Sequence, residues 1–199
     1  MGLRGRKVEI NKCVILLAVM FIGFGCKQKD EEYVSDYSVE IQNLITDELK
    51  RAYLEAIFKA DQDVRNAEEE YAIVSKYGRD SEEFREHLAK MKETDAISLN
   101  KVEAYLAQYG HPSKAALKEI AALTPWAVVH HQSEYEPRVT NFNHLYKGYL
   151  NNDIEEGSFS MYLARMYQIK NGERLDMKGP YKEADKIALM IEELGLNIE

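Results

Sequence analysis

The sequence predicts an all-α fold, an irregular bundle of several helices. Apolar residues recur at spacings of three and four along most of the chain, which is the period of an amphipathic helix. Glycine and proline are sparse before Gly78, and no segment alternates apolar and polar residues between two turns as a half-buried strand does. We expect a single helical domain over residues 39–199, long enough to bury a core of its own.

The longest amphipathic pattern lies at the start of this domain. Its apolar residues form one stripe on a helix, at Ile57, Ala60, Val64, Ala67, Tyr71 and Val74. Gly78 follows the stripe and can adopt the left-handed conformation that ends a helix. The pattern therefore predicts one long N-terminal helix from near Val39 to just before Gly78.

Capping residues and prolines divide the rest of the chain. Ser81 or Asp80 can begin a second helix that stops at Tyr109-Gly110, and the polar pair Thr94-Asp95 is expected to split it in two. Later helices are predicted to begin after Ser113, at Thr124-Pro125, at Glu136-Pro137, at Ser158 and at Tyr181. The last two are expected to end at Asn171-Gly172 and at Gly195.

Residues 1–25 have the pattern of a secretory signal peptide. Four basic residues and one acidic residue lie among the first twelve, and an apolar run of about a dozen residues follows and ends at Phe24. A membrane-spanning helix needs about 20 apolar residues, so this run is short for one.

Cys26 follows the small residue Gly25, and this junction resembles a bacterial lipoprotein signal. Gly23 and Phe24 stand where that signal usually has Leu and a small residue. The resemblance implies that the Cys26 thiol receives diacylglycerol, that residues 1–25 are removed, and that the new amino terminus is acylated, for instance with palmitate. Two or more acyl chains anchor a protein stably to a bilayer. The alternatives are a conventional signal peptide, an uncleaved anchor, or a buried helix with an incidental cysteine.

Residues 26–38 are predicted to form a lipidated, flexible tether. Lysine rather than aspartate follows Cys26, which resembles lipoproteins of the bacterial outer membrane. The acidic run after Lys29 resembles a signal for export to the cell surface. The alternative is a charged spacer that keeps the domain away from the lipid. The sequence thus predicts lipid anchoring at the outer membrane and leaves surface exposure open.

The charge of the chain excludes nucleic acid as a partner. Removal of the leader changes the formal net charge from −8 to −11, whereas nucleic-acid binding needs clustered Lys and Arg. Cys13 leaves with the leader and Cys26 is lipidated, so no cysteine remains for a disulfide or a nucleophile. No cofactor is predicted.

Two histidines stand side by side at His130-His131. Neighbours on a helix point about 100° apart, so the pair does not chelate one metal ion as an i, i+4 pair does. No zinc, di-iron or phosphate-loop motif is present. We predict no metal site, with one histidine partly buried and hydrogen-bonded and the other at the surface.

Polar residues interrupt two otherwise apolar helix faces. Asp61 and Arg65 can pair at i, i+4, and the alternative is that Gln62 or Arg65 faces a cleft. Arg165 lies in an apolar and aromatic segment, where it is expected to pair with an acid such as Asp61, or else to bind a ligand. The candidate polar pocket is Asp61, Gln62, Arg65, His131 and Arg165.

Several short motifs resemble an uncharacterised bacterial domain family. They are Asp61-Gln62-x-x-Arg65, Gly110-His-Pro112, Trp126-x4-His131 and Leu163-x-Arg165. Ala164 stands where the family tends to have Asp, and Glu173-Arg-Leu-Asp176 replaces a Gln-x-Tyr-Gly segment. If those polar groups form an active site in the family, this chain lacks them. The resemblance implies no known activity.

Three functions follow from these features. The first is a non-enzymatic, membrane-anchored lipoprotein that binds a protein, peptide or glycan. The second is a hydrolase-like enzyme that uses His131 with a carboxylate and Arg165. The third is an acidic inhibitor or immunity protein, which the net charge favours.

Overall fold

The computed structural model describes residues 37–177 and 182–198, and within these ranges all regular structure is helical. The predicted all-α fold is confirmed. The helices are α1 (Ser38–Gln42), α2 (Asp47–Asp63), α3 (Ala67–Tyr77), α4 (Glu82–Tyr109), α5 (Lys114–Leu117), α6 (Glu119–His131), α7 (Glu136–Leu150), α8 (Glu156–Asn171) and α9 (Glu183–Leu194).

The prediction of one long N-terminal helix is wrong, because the segment is three helices. Thr46 caps α2, its hydroxyl accepting a hydrogen bond from the Leu49 amide at 3.3 Å. Asn66 caps α3 by accepting from the amides of residues 68 and 69. These short polar side chains satisfy amides that the continuous helix would have bonded, so the chain turns at both places.

The predicted split of the second helix is also wrong, because α4 runs through Thr94-Asp95 without a break. Its predicted ends are confirmed. The Ser81 hydroxyl accepts from the Phe84 amide at 3.2 Å, and Gly110 ends the helix with a φ of 72°. Asp95 does not cap a new helix because its carboxylate accepts a hydrogen bond from Arg65 instead.

Two later helices begin earlier than predicted. Helix α6 starts at Glu119 and carries Pro125 in its interior, because the Thr124 hydroxyl donates to the Ile120 carbonyl of the preceding turn rather than capping a new helix. Helix α8 starts at Glu156, so Ser158 lies in its first turn. The starts of α5 and α7 and the glycine stops of α8 and α9 agree with prediction.

The core lies where α2, α4 and α6 pack together and extends to α7, α8 and α9. Fully buried side chains from these helices include Leu54, Val102, Val128, Phe142, Leu163 and Met190. This packing fixes the C-terminal end of α6 between the end of α2 and the middle of α8, and the candidate site is built there. None of the helices described is both long enough and apolar enough to cross a bilayer.

The leader predicted for residues 1–25, the predicted lipid attachment at Cys26 and nearly all of the tether predicted for residues 26–38 lie outside the described residues. The predictions for residues 1–36 are therefore neither confirmed nor contradicted by the fold. The predicted start of the last helix at Tyr181 is wrong, because Lys182 is an extended N-cap and α9 begins at Glu183.

Candidate functional site

Asp61 lies at the centre of a buried polar network at the end of α2. Its side chain is 1% exposed, and three groups point at its carboxylate. Gln62 Nε2 donates to Oδ2 at 2.8 Å, Arg65 Nη1 donates to Oδ1 at 3.0 Å, and His131 Nδ1 lies 3.0 Å from Oδ1 and 2.9 Å from Oδ2. A buried carboxylate is costly unless it is paired and hydrogen-bonded, and here it is both.

Arg65 joins this network to α4. Its Nη1 also donates to the Asp61 carbonyl at 2.9 Å, one of the acceptors left open where α2 ends. Its Nη2 donates to Asp95 Oδ1 at 2.6 Å, and the two side chains are 20% and 17% exposed. The guanidinium therefore lies between two carboxylates from different helices and holds both in place.

Arg138 of α7 fixes the end of α6. The side chain is fully buried, and its guanidinium donates to the His130 carbonyl and, from Nε and Nη2, to the Gln132 carbonyl at 3.1 and 2.9 Å. A cation at this position satisfies the last carbonyls of the helix and favours its dipole. Burial lowers the pKa of Arg138 to about 10, Tyr162 opposes this shift, and Arg165 adds to it.

His130 faces away from the network. Its ring stacks on Trp126, with ring centroids 5.0 Å apart, and Trp126 is itself fixed by donating to the Ser158 carbonyl. His130 Nδ1 is buried without a partner. Burial, and then the charges of Arg138, His131 and Arg165, lower the pKa of His130 to about 4, so the ring is neutral at pH 7.

A cavity of about 610 Å³ opens on the far side of His130. Its walls come from α6, α8, α9 and the segment after α8, namely from His130, Met161, Ala164, Arg165, Gln168, Arg174, Leu175, Asp176, Met177 and Lys186. Three of these residues are cationic and one, Asp176, is acidic, so the described wall is basic although the chain has a net charge of −8.

The two arginines of this wall are not paired with acids. Arg165 donates to Gln168 Oε1 at 3.2 Å, and neither it nor Arg174 forms an ion pair with any described residue. Lys186 pairs with Glu183 at 3.2 Å. The predicted salt bridge from Arg165 to Asp61 or another acid is therefore wrong within the described chain, because packing turns the exposed Arg165 side chain away from α2 and into the cavity.

The structure thus divides the predicted polar pocket. It brings Asp61, Gln62, Arg65 and His131 together, and it places Arg165 in the neighbouring cavity. Sequence reasoning missed Asp95 and Arg138 as members of the site. Asp95 carried a signal, since it interrupts the apolar face of α4, but Arg138 follows a proline in a polar stretch that gives no sign of burial.

The two places where this chain differs from the resemblance described above, Ala164 and residues 173–176, lie together at the cavity. Ala164 lines its wall, and so do the last three residues of the segment 173–176. Of the residues that carry that resemblance, Asp61, Gln62, Arg65 and His131 form the network, whereas Arg165 lines the cavity. The polar network includes His131 and the cavity wall includes His130, and the centroids of these two rings are 6.1 Å apart.

Metal binding finds no support in the described geometry. Within residues 37–177 and 182–198, no three His, Cys, Asp or Glu side chains are arranged to hold an ion.

No family model, curated protein or solved structure matches the chain. The resemblance to an uncharacterised domain family stays a prediction.

Proposed function

We propose that this protein is a lipid-anchored binding module of the bacterial outer membrane, and that the basic cavity beside His130 binds a carboxylate-bearing ligand. The observation that carries the proposal is the pair of arginines, Arg165 and Arg174, that line a cavity without an acid partner in the described chain. An arginine presents a planar fork of donors that fits a carboxylate, and this is its usual role in ligand sites.

The size and the walls of the cavity support a small ligand or the end of a larger one. A volume of about 610 Å³ lies in the range of pockets that hold small molecules. Met161, Leu175 and Met177 give the cavity an apolar part, while the arginines and Gln168 give it donors. A short acidic peptide and a sugar acid both combine these features.

The membrane part of the proposal depends on Cys26. Mass spectrometry of the protein from its native host tests it, and we expect a chain that begins at Cys26 and carries a diacylglycerol. An intact leader or a free Cys26 thiol would contradict anchoring and leave the cavity proposal unaffected.

Isothermal titration calorimetry of residues 27–199 tests the cavity. The probes are N-acetyl-Glu-Glu-amide and digalacturonate, each compared with its neutral carboxamide counterpart. We expect an acidic probe to bind, and the Arg165→Gln/Arg174→Gln variant to bind it at least about tenfold more weakly, since a charge-assisted hydrogen bond contributes about 1.5–3 kcal/mol.

The matched control is Arg79→Gln/Arg85→Gln. Both are exposed arginines outside the cavity wall, 3.9 Å from Glu70 and 3.2 Å from Glu82, so this variant also loses two positive charges but leaves the cavity unchanged. Equal weakening by both variants would mean that general charge, rather than the cavity, drives binding. No heat with either acidic probe would contradict the proposal.

A further inference from the structure

Asp61 holds the His131 ring in the orientation that a general base requires. His131 Nδ1 lies within 3.0 Å of both carboxylate oxygens of Asp61. A carboxylate only accepts hydrogen bonds, so the proton of the neutral ring is on Nδ1 and the lone pair is on Nε2. This is the tautomer in which a buried acid orients a histidine for proton abstraction.

The Nε2 atom is available to a substrate. The His131 side chain is 25% exposed, and within the described residues Nε2 neither forms a hydrogen bond nor is buried without one. His130, the neighbouring histidine, differs because its Nδ1 is buried and its ring is stacked on Trp126. Of the two histidines, His131 is therefore the one that can take a proton.

The acid that orients His131 cannot easily turn away. Gln62 and Arg65 each hold one carboxylate oxygen of Asp61, and Asp95 in turn holds Arg65. Such outer contacts keep a reactive group within the narrow range of geometry that proton transfer needs.

The basic cavity lies next to this pair. The rings of His131 and His130 have centroids 6.1 Å apart, and His130 forms part of the cavity wall together with Arg165. His131 itself does not line the cavity, so a ligand whose carboxylate is held by Arg165 and Arg174 has to extend past the His130 ring to reach it.

We propose that His131 is the general base of a hydrolytic site, with Asp61 as its positioning residue, and that the substrate is an ester that carries a separate carboxylate. Only the charge of the substrate rests on the proposed function of the cavity. His131 Nε2 takes a proton from water, and the oxygen of that water forms a bond to the ester carbonyl carbon. The bond to the leaving oxygen then breaks, and the imidazolium returns its proton to that oxygen. One water is consumed, and a carboxylic acid and an alcohol are released.

Two chromogenic esters test this site. 4-Nitrophenyl succinate carries a free carboxylate, and 4-nitrophenyl butanoate has a similar size without one. The succinate also reacts without protein, because its carboxylate attacks its own ester, so the buffer rate of each ester is subtracted. Above these rates we expect residues 27–199 to hydrolyse the succinate faster, with a loss of at least about 100-fold in His131→Gln, as is usual for removal of a general base. His144→Gln is the matched control because His144 is a half-buried histidine on α7, outside the network and outside the cavity wall.

Two further measurements separate catalysis from a structural effect. Free imidazole itself cleaves 4-nitrophenyl esters, so its rate in buffer is subtracted. Above that rate, added imidazole should restore hydrolysis in His131→Gly and leave the His144→Gln rate unchanged. Asp61→Asn should lower the rate in a folded variant and change its pH profile, since the ring loses the acid that selects its tautomer; circular dichroism reports the folded fraction.

The outcomes distinguish the two proposals. A rate in His131→Gln equal to that of the native chain, or no hydrolysis of either ester above the buffer rate, would overturn the general-base assignment. Equal hydrolysis of both esters that depends on His131 but not on Arg165 would support His131 and contradict the cavity.

Discussion

The two sides of the C-terminal end of α6 differ in whether their charged side chains are paired. On one side, Asp61 is buried and its carboxylate is paired with Gln62, Arg65 and His131. On the other side, Arg165 and Arg174 line a cavity and have no acid partner in the described chain. A satisfied network contributes to stability and to the orientation of its members, whereas charges left without partners are available to a ligand. Substitutions on the two sides should therefore have different consequences.

The largest effect is expected from Asp61→Ala. This change leaves Arg65 and His131 next to a partly buried gap, and breaking a buried ion pair by removing one partner costs about 3–5 kcal/mol. Urea unfolding measures the loss. Asp63→Ala is the control because Asp63 also pairs at i, i+4, with Lys59, but is 60% exposed. Its loss should cost less than about 1 kcal/mol.

The next largest loss of stability is expected at acid pH, because two histidines are neutral in the folded protein. Burial lowers the pKa of His111 to about 4, partly opposed by Asp153, and neither ring nitrogen of His111 has a partner. The pKa of His130 in the cavity wall is also lowered to about 4. Both folded values lie below the unfolded value of about 6.5, so this stability is complete above pH 6.5 and is lost as the pH falls toward 4.

The size of this acid effect differs between the two histidines. For the more buried His111 we expect a loss on the order of 2–3 kcal/mol, and for the more exposed His130 about 1 kcal/mol after allowance for solvent screening. Unfolding at pH 7 and pH 4.5 measures both. His111→Asn should flatten the pH dependence more than His130→Asn, and the reverse order would contradict the assignment.

A smaller effect is expected where the network reaches α4. A double-mutant cycle on Arg65→Met and Asp95→Asn should give a coupling free energy of roughly 1 kcal/mol, since both side chains are partly exposed. A coupling near zero would mean that Asp95 does not hold Arg65, and the description of a network that spans two helices would be wrong.

The smallest effect on stability is expected in the cavity. Arg165→Gln and Arg174→Gln remove charges that pair with no described acid, so each should change the free energy of unfolding by less than about 0.5 kcal/mol. The comparison fails if either variant is as unstable as Asp61→Ala.

Features that depend on neighbouring residues could be predicted from the sequence, whereas features that depend on the packing of helices could not. The caps at Ser81, Gly110 and Gly195 and the Asp61–Arg65 pair depend on residues within a turn of one another, and all are found. The break at Asn66 was missed because the apolar stripe continues across it, and the break at Thr46 was missed because no glycine or proline marks it.

The candidate site could be predicted only in part, because most of its contacts join residues that are far apart in the sequence. The Asp61–His131 contact joins residues 70 positions apart, so the sequence could offer it only as one of several pairings. Arg165 was assigned an acid partner from its apolar neighbours, but the orientation of α8 determines where its side chain points. No residue pattern marked Arg138 as buried, because its partners are backbone carbonyls.

The most direct test of the account is nuclear magnetic resonance mapping of the ligand surface. Titration of ¹⁵N-labelled residues 27–199 with N-acetyl-Glu-Glu-amide or digalacturonate should shift the amides of Ala164, Arg165 and Leu175, which line the cavity, and leave the exposed Asp63 unchanged. Shifts that spread over the surface, or that centre on α3 and spare the cavity, would contradict the claim that the arginines beside His130 form the binding site.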